Sequence, residues 1–192
     1  MNFDLKKALN EYKPEDPNEQ DSLEKIRLFL DTNDNCFSRT NLKGHITASA
    51  LIIDTQGNVL LNHHKALNKW LQFGGHSDGE ANSLNVAKRE VMEETGIVNI
   101  DDLGGKIFDV DVHLIPENKA KNEPAHYHYD IRFLFITKEK QFKISDESTD
   151  IQWLSIENAK EMIDNPSILR MLDKAYLLYR KINIDNSKEN TR

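Results

Sequence analysis

The chain predicts an α+β fold in which helices cover both faces of a mixed β-sheet. Three observations lead to this prediction. Residues 1–44 show helical spacing of apolar residues, residues 45–154 are mainly strand-like but contain one helical segment at 83–95, and residues 156–182 return to helical spacing. No internal repeat or low-complexity linker divides the chain, so helices, strands and helices in this order indicate one compact unit.

Residues 1–44 form a predicted N-terminal helical extension. Its two helical stretches, NFDLKKALNEY and SLEKIRLFLDTN, are separated by a Pro-Glu-Asp-Pro break at 14–17. We interpret the extension as a packing or dimerising appendage, with a substrate contact as the alternative. Cys36 is the only cysteine of the chain, so no intrachain disulfide is expected, and we interpret it as a buried or incidental thiol.

The strands begin at residue 45. HITASALIID and NVLLNHH flank Thr55-Gln56-Gly57, which predicts a hairpin, and WLQF is a short strand before a glycine pair. KIFDVDVHLI, AHYHYDIRFLFIT and IQWL are further strands, and the apolar end of the second predicts a central position in the sheet. IENAKEMIDN and PSILRMLDKAYLLYRKI predict two helices, the second starting at Pro166, and residues 183–192 predict a disordered tail.

Charge and composition limit the classes of partner. Lys and Arg total 25 against 32 for Asp and Glu, a net charge of −7, and no basic block could follow a nucleic-acid backbone. Binding of long nucleic acid is therefore disfavoured, whereas a small anionic substrate is acceptable where a metal ion supplies local positive charge. No signal-peptide pattern or membrane-spanning stretch is found, which together with the single cysteine predicts a cytoplasmic protein without membrane association.

The most informative segment is the helix predicted between the cap Asn82 and Gly96. Glu90, Glu93 and Glu94 stand at i, i+3 and i+4 and share one face, where like charges repel. A hard divalent cation removes this conflict, because Mg²⁺ prefers oxygen ligands and leaves positions for substrate phosphates. The alternative is a solvated acidic helix.

The whole segment Gly75 to Ile97, GHSDGEANSLNVAKREVMEETGI, resembles the signature of the Nudix hydrolases, Gx5Ex7REUxEExGU with U an aliphatic residue. Both glycines, the arginine and the three helical glutamates are in register, but Ala81 stands where the pattern has its first glutamate. The resemblance implies a Nudix-type α/β/α sandwich over residues 45–182. It also implies Mg²⁺- or Mn²⁺-dependent hydrolysis of a phosphoanhydride bond in a nucleoside diphosphate linked to another moiety.

The resemblance further implies roles for individual residues. The implied metal ligands are the carbonyl oxygen of Gly74 and the carboxylates of Glu90, Glu93 and Glu94. The implied catalytic set is Arg89, Glu90, Glu93 and Glu147. Arg89 either orients a carboxylate or neutralises phosphate charge, and the family favours orientation. The proton acceptor is Glu90 or an acid from the loop 145–150, for which Glu147 is the nominee and a solvated loop the alternative.

Two other functions remain open. An isomerase similar to isopentenyl diphosphate isomerase needs an active-site cysteine, and Cys36 lies outside the Nudix-like region, which argues against it. A non-catalytic nucleotide sensor is favoured by Ala81, because the family's glutamate at that position supports the arginine, and opposed by the intact helical glutamates. Glu80, one residue earlier, is a candidate replacement if the loop shifts.

Candidate substrate contacts lie on three strands. Alternation places Asp109, Asp111 and His113 on one face of a strand and His126, His128 and Asp130 on one face of the next. If these strands pair, the six residues share a surface that can hold the group attached to the diphosphate. An ordinary solvent face is one alternative, and a zinc site is another, which requires a convergence that alternation does not establish. The nominated contacts are Asp111, His113, His126 and His128, with His64 and Lys65 at the end of an earlier strand.

Overall fold

The computed structural model describes residues 3–119 and 122–189, with side chains described as far as residue 181. The helices of this part are α1 (Leu5–Glu11), α2 (Pro17–Thr32), α3 (Ser83–Thr95), α4 (Ile156–Met162) and α5 (Pro166–Glu189). The strands are β1 (Gly44–Asp54), β2 (Val59–His64), β3 (Lys69–Leu71), β4 (Phe73–His76), β5 (Ile100–Asp101), β6 (Asp109–Ile115), β7 (His126–Thr137) and β8 (Ser148–Leu154).

The eight strands form one mixed sheet. Its main path runs β3-β2-β1-β7-β5, while β4 pairs with β1, β6 with β7 and β8 with β2. Strands β1 and β7 are parallel, and the other pairs are antiparallel. The predicted hairpin is confirmed, since the Asp54 carboxylate accepts hydrogen bonds from the backbone N–H of Gln56 and Asn58 at its turn. The apolar end of β7 is central, as predicted, because β1 and β5 lie on either side.

The two faces of the sheet pack against different helices. Alternate residues of β1, including Ile46, Ala48 and Ala50, belong to the core formed with α1, α2 and α3. On the other face, Leu51 and Ile53 pack in the cluster formed with α4 and α5. This arrangement confirms the predicted α+β sandwich with a mixed sheet between layers of helices.

The N-terminal helices are an integral part of this core. Leu9, Leu23 and Ile26 are buried among the sheet residues. Glu19 is fully buried and accepts a hydrogen bond at 2.6 Å from the Lys174 ammonium group of α5. The hydroxyl of Tyr12 also donates to Glu19. Breaking a buried ion pair leaves an uncompensated charge, so this contact stabilises the packing of the N-terminal helices against α5.

The structure differs from the sequence predictions at β5 and at the end of α5, and it agrees with them at Cys36. Strand β5 was not predicted, because two residues are too few to show a period. Helix α5 includes residues 183–189, which the sequence analysis placed in a disordered tail; no proline or glycine after Pro166 interrupts it, and residues 190–192 lie outside the described residues. Cys36 is buried, in agreement with its interpretation. None of the helices described is both long and apolar enough to cross a membrane.

Candidate active site

Helix α3 has the predicted bounds and caps. The Asn82 side chain accepts from the backbone N–H of Asn85 at 3.1 Å, and Gly96 ends the helix in the left-handed conformation with φ 74°. Val86, Ala87 and Val91 are fully buried on the core side. Docking of this apolar face leaves the glutamates to face strand β4.

The three glutamates differ in burial. Glu94 is 7% exposed, the side chain of Glu90 is 14% exposed, and that of Glu93 is 53% exposed. Glu94 accepts a hydrogen bond at 2.9 Å from the backbone N–H of Gly74. The helix therefore brings one buried, one partly buried and one exposed carboxylate to the glycine turn.

The glycine pair of β4 is required by two different close approaches. A Cβ atom at Gly74 would lie 2.3 Å from the Cβ of Ser49 on β1, so only glycine permits this strand contact. A Cβ atom at Gly75 would lie 2.7 Å from the carboxyl carbon of Glu90. The second glycine thus provides the space that the Glu90 carboxylate occupies.

The buried carboxylates are poorly compensated by the protein alone. Burial, together with the negative charges of Glu90, Glu147 and Glu93, raises the pKa of Glu94 to about 8, although the hydrogen bond from Gly74 opposes this shift. Burial also raises the pKa of Glu90, although the neighbouring Arg89 guanidinium opposes this. A concentrated negative charge of this kind is typical of a cation site.

Arg89 connects the helix to the glycine turn. One terminal nitrogen, Nη1, lies 2.9 Å from Glu90 Oε1 and 3.3 Å from Glu93 Oε2. The other, Nη2, donates to the carbonyl oxygen of His76 at 2.9 Å. The planar guanidinium can make these contacts together, which fits the orienting role that the sequence indicated.

The loop around Ala81 does not support Arg89 in the way that the sequence suggested. Glu80 accepts a hydrogen bond at 3.2 Å from the side-chain amide of Asn85, and the part of the chain that the structure describes shows no contact between Glu80 and Arg89. The loop is held instead by a two-pronged ion pair between Arg39 and Asp78, with distances of 2.6 and 2.7 Å. Sequence reasoning missed this pair, because Arg39 precedes the motif by a whole hairpin.

The predicted loop acid and the end of β2 are neighbours. The carbonyl oxygen of Glu147 accepts from the backbone N–H of Lys65 at 2.8 Å. The Glu147 charge contributes to the raised pKa of both Glu90 and Glu94, so the loop lies near the helical carboxylates. The ring of His64 contacts the backbone N–H of Leu67 at 3.2 Å.

The predicted pairing of β6 with β7 is confirmed, and it brings the six polar residues of these strands to one face. Asp111 pairs with Asp130 and His113 with His128 in the register. The interpretation of this surface as a solvent face is wrong, because Asp109 is fully buried and Asp130 is 4% exposed. Arg132, which alternation places on the same face, pairs with both, and Arg170 of α5 also pairs with Asp109 at 2.8 Å.

The contacts of the nominated residues on this face are largely internal. Asp111 pairs with Arg132 at 3.1 Å and with the ring of His113 at 2.9 Å. His126 is buried, and its Nδ1 lies 2.9 Å from the carbonyl oxygen of Pro124. These three nominated residues, with His128 and Arg132, form part of a partly buried polar layer on the face of the sheet opposite α3.

Comparison with known proteins supports the interpretation of the helix. The family model described as NUDIX domain matches residues 43–174. The chain belongs to the Nudix family. The "Probable DHNTP pyrophosphohydrolase" of Lactococcus lactis subsp. cremoris is 29% identical over 146 residues, covering 76% of this chain and 86% of that relative.

Solved structures show the same Nudix fold. A Nudix family hydrolase from Clostridium perfringens has 25% identity and a TM-score of 0.50, covering 70% of this chain and 97% of the other. The E. coli dihydroneopterin triphosphate pyrophosphohydrolase has 16% identity and a TM-score of 0.56, covering 67% and 92%. The chain is thus a Nudix-type pyrophosphohydrolase that hydrolyses a phosphoanhydride bond, in a family that generally uses divalent metal ions.

Proposed function

We propose that this Nudix enzyme uses Mg²⁺ or Mn²⁺ to hydrolyse a nucleoside diphosphate linked to another moiety. The proposed ion ligands are the carbonyl oxygen of Gly74 and the carboxylates of Glu90, Glu93 and Glu94. One observation carries the proposal: the buried carboxylate of Glu94 and the partly buried one of Glu90, both with raised pKa values, lie on one face of α3 beside a glycine turn. A buried carboxylate requires a cation, a proton or several hydrogen-bond donors.

The donor set fits a hard divalent ion. All the proposed ligand atoms are oxygens, which Mg²⁺ and Mn²⁺ prefer, and the exposed Glu93 leaves an open side toward solvent. The Arg89 guanidinium contacts Glu90 and Glu93, whereas the Glu94 carboxylate receives only the Gly74 N–H among the described hydrogen bonds. When bound, the ion would polarise a phosphate oxygen and lower the pKa of a coordinated water.

The chain's own residues supply orientation and proton transfer in this proposal. Arg89 holds the Glu90 and Glu93 carboxylates and ties them to the His76 carbonyl, so it is a positioning residue. The proton of the attacking water passes to Glu90 or to Glu147, whose loop is anchored beside Lys65. Lys65 and His64 lie at the same edge and are the proposed contacts to substrate phosphate.

The relatives narrow the substrate class. Their names refer to dihydroneopterin triphosphate, Ap4A and, for a complex of the Nudix domain of Shewanella oneidensis NrtR, ADP ribose. Each of these compounds joins a heterocycle-bearing group to a chain of phosphates. We propose a substrate of this kind, with Asp111 and His113, the more exposed members of the polar layer, as the contacts to the attached group.

The proposal is tested by screening nucleoside diphosphate sugars, dinucleoside polyphosphates and nucleoside triphosphates with Mg²⁺ and with Mn²⁺. The readout is release of phosphate, pyrophosphate or nucleoside monophosphate. Glu94→Gln is expected to lower kcat at least about 100-fold. The matched control is Glu80→Gln, which changes an exposed carboxylate of the same motif and is expected to keep wild-type turnover.

Two results would contradict the proposal. Near-wild-type turnover by Glu94→Gln would remove the helical carboxylates from catalysis. Binding of these nucleotides without turnover of any of them would favour a non-catalytic sensor, the alternative that Ala81 raises.

A further inference from the structure

Three histidines from three strands meet on the sheet face opposite α3. His45 of β1 pairs in register with His128 of β7. Thr47, two residues further along β1 and on the same face, pairs with His76 of β4. The ring centroids lie 4.8 Å apart for His45 and His128, 5.0 Å for His45 and His76, and 5.1 Å for His76 and His128. One ring nitrogen of each histidine lies within 4.8 Å of the corresponding atoms of the other two.

His45 lies at the centre of this group without a partner for its ring. It is 2% exposed, and among the described residues neither Nδ1 nor Nε2 has a hydrogen-bond partner. An unsatisfied buried polar group costs about 1–3 kcal/mol, so natural proteins rarely leave one without a function. Because the backbone of Asn41 lies close to this ring, one nitrogen can donate to it after a small adjustment, which leaves the other nitrogen free for a ligand that the protein does not supply.

The surroundings keep these rings in the state that binds metals. Burial and the neighbouring imidazoles lower the pKa of His45 to about 4 and that of His128 to about 2. The rings of His45 and His128 are therefore neutral at physiological pH, and a neutral imidazole carries the lone pair that coordinates a metal.

We propose that His45, His76 and His128 together bind one first-row transition-metal ion such as Zn²⁺. This site is separate from the α3 carboxylates. The two sites differ in chemistry, because imidazole nitrogens suit zinc, copper or nickel, whereas Mg²⁺ requires oxygens. Zinc binds nitrogen at about 2.0–2.1 Å, which places tetrahedral ligand atoms roughly 3.4 Å apart. Each ring must therefore move by about 1 Å, a change within the freedom of the histidine χ2 torsion.

Neighbouring groups provide the outer contacts that metal-binding histidines need. His126 Nδ1 lies 2.9 Å from the Pro124 carbonyl, which only accepts, so this nitrogen of His126 carries the proton. Its other nitrogen, Nε2, then has a lone pair and lies 3.3 Å from Nε2 of His128. Nε2 of His126 can accept a hydrogen bond from His128, which leaves Nδ1 of His128 free to bind the ion. Alternatively, Nε2 of His126 can itself serve as a fourth ligand.

The proposed ion would also stabilise the active site from the opposite face of the sheet. The backbone of His76 follows the glycine pair directly, and its carbonyl oxygen accepts from Arg89 at 2.9 Å. An ion held by the His76 ring would therefore fix the peptide that orients Arg89. The His76 peptide belongs to the first half of the Nudix motif, in which Ala81 replaces the first glutamate.

The test is a titration of the full chain, freed of metals, with Co²⁺ in the presence of excess Mg²⁺. We expect one Co²⁺ per chain, with the visible absorption bands of a four-coordinate, nitrogen-rich site and displacement by Zn²⁺. His128→Gln and His45→Gln are expected to lower the affinity more than about 100-fold, since losing a ligand exceeds the loss of an outer contact. His63→Gln is the matched control, because this histidine contacts Thr149 and Trp70 away from the cluster.

Folding of the variants is followed by circular dichroism, and His76→Gln provides a third variant at a less buried position. If a variant does not fold, the wild-type protein still decides, because Zn²⁺ must raise its Tm and a chelator must reverse the change. Absence of tight Co²⁺ binding by the wild-type chain would overturn the proposal. The proposal would equally be overturned if Glu90→Gln/Glu94→Gln abolished Co²⁺ binding while His128→Gln retained it, since the ion would then belong to the carboxylates.

Discussion

Replacement of Gly75 by alanine tests whether the position of the Glu90 carboxylate controls catalysis. The added Cβ would lie 2.7 Å from the carboxyl carbon and from Oε2 of Glu90, and 2.8 Å from Oε1. An ordinary carbon–oxygen contact is about 3.4 Å, so the carboxylate must move by roughly 0.6–0.7 Å. Because misplacement of a reacting group by about 1 Å can cost 100-fold, we expect kcat/KM to fall between about 10- and 100-fold.

The same substitution should leave the stability almost unchanged, by less than about 1 kcal/mol, because the group displaced is the flexible end of a side chain. Gly104→Ala is the control with the opposite pattern. A Cβ at Gly104 meets open space, but its φ of 78° strains any L residue. We expect Gly104→Ala to lose about 1–2 kcal/mol in urea unfolding and to keep its turnover. A folded Gly75→Ala enzyme with turnover within twofold of wild type would refute the reasoning.

Three further predictions concern charged side chains. Lys174→Met leaves the fully buried Glu19 without its cation and should lower the free energy of unfolding in urea by about 3–5 kcal/mol; a loss below about 1 kcal/mol would contradict the role of this pair. Because the pKa of Glu94 is raised from 4.5 to about 8, protein in EDTA should lose roughly 3–5 kcal/mol of stability as the pH rises through this interval. Thermal unfolding should show a smaller loss of stability over this pH interval for Glu94→Gln than for wild type. A loss equal to that of wild type would exclude Glu94 as its source. Arg89→Lys should lower kcat/KM about 10- to 100-fold, because one ammonium group cannot hold the His76 carbonyl and two carboxylates together; steady-state kinetics that match wild type would show that orientation by Arg89 is dispensable.

Local signals in the sequence were sufficient to predict helix α3. The cap at Asn82, the glycine at 96 and the spacing of the glutamates each depend on neighbours within a few residues. The β1–β2 hairpin was predictable for the same reason, because its turn and its alternating strands are contiguous. The family signature then added the expected chemistry of the carboxylates.

Long-range contacts could not be predicted in this way. The parallel pairing of β1 with β7 brings His45 beside His128, residues separated by most of the domain, and nothing in either local pattern specifies that register. The alternation of β6 and β7 correctly placed Asp109, Asp111 and Asp130 on one face, but it could not show that Arg132 and Arg170 pair with them. An interpretation as a solvent face was therefore reasonable from the sequence and wrong in the structure.

The support of Arg89 is a further contact that the sequence could not specify. Proximity in sequence suggested Glu80 as the replacement for the missing motif glutamate. In the structure the contact comes from the carbonyl of His76, and a backbone group carries no signature in the side-chain pattern.

The central claim is that the helical carboxylates bind the divalent ion that the hydrolase uses. Electron paramagnetic resonance of Mn²⁺ tests this directly, because bound Mn²⁺ loses the sharp signal of the free ion. We expect the wild-type chain to bind Mn²⁺ and Glu94→Gln to bind it at least about 10-fold more weakly, with Glu80→Gln unchanged. Mn²⁺ binding by Glu94→Gln with wild-type affinity would contradict the account.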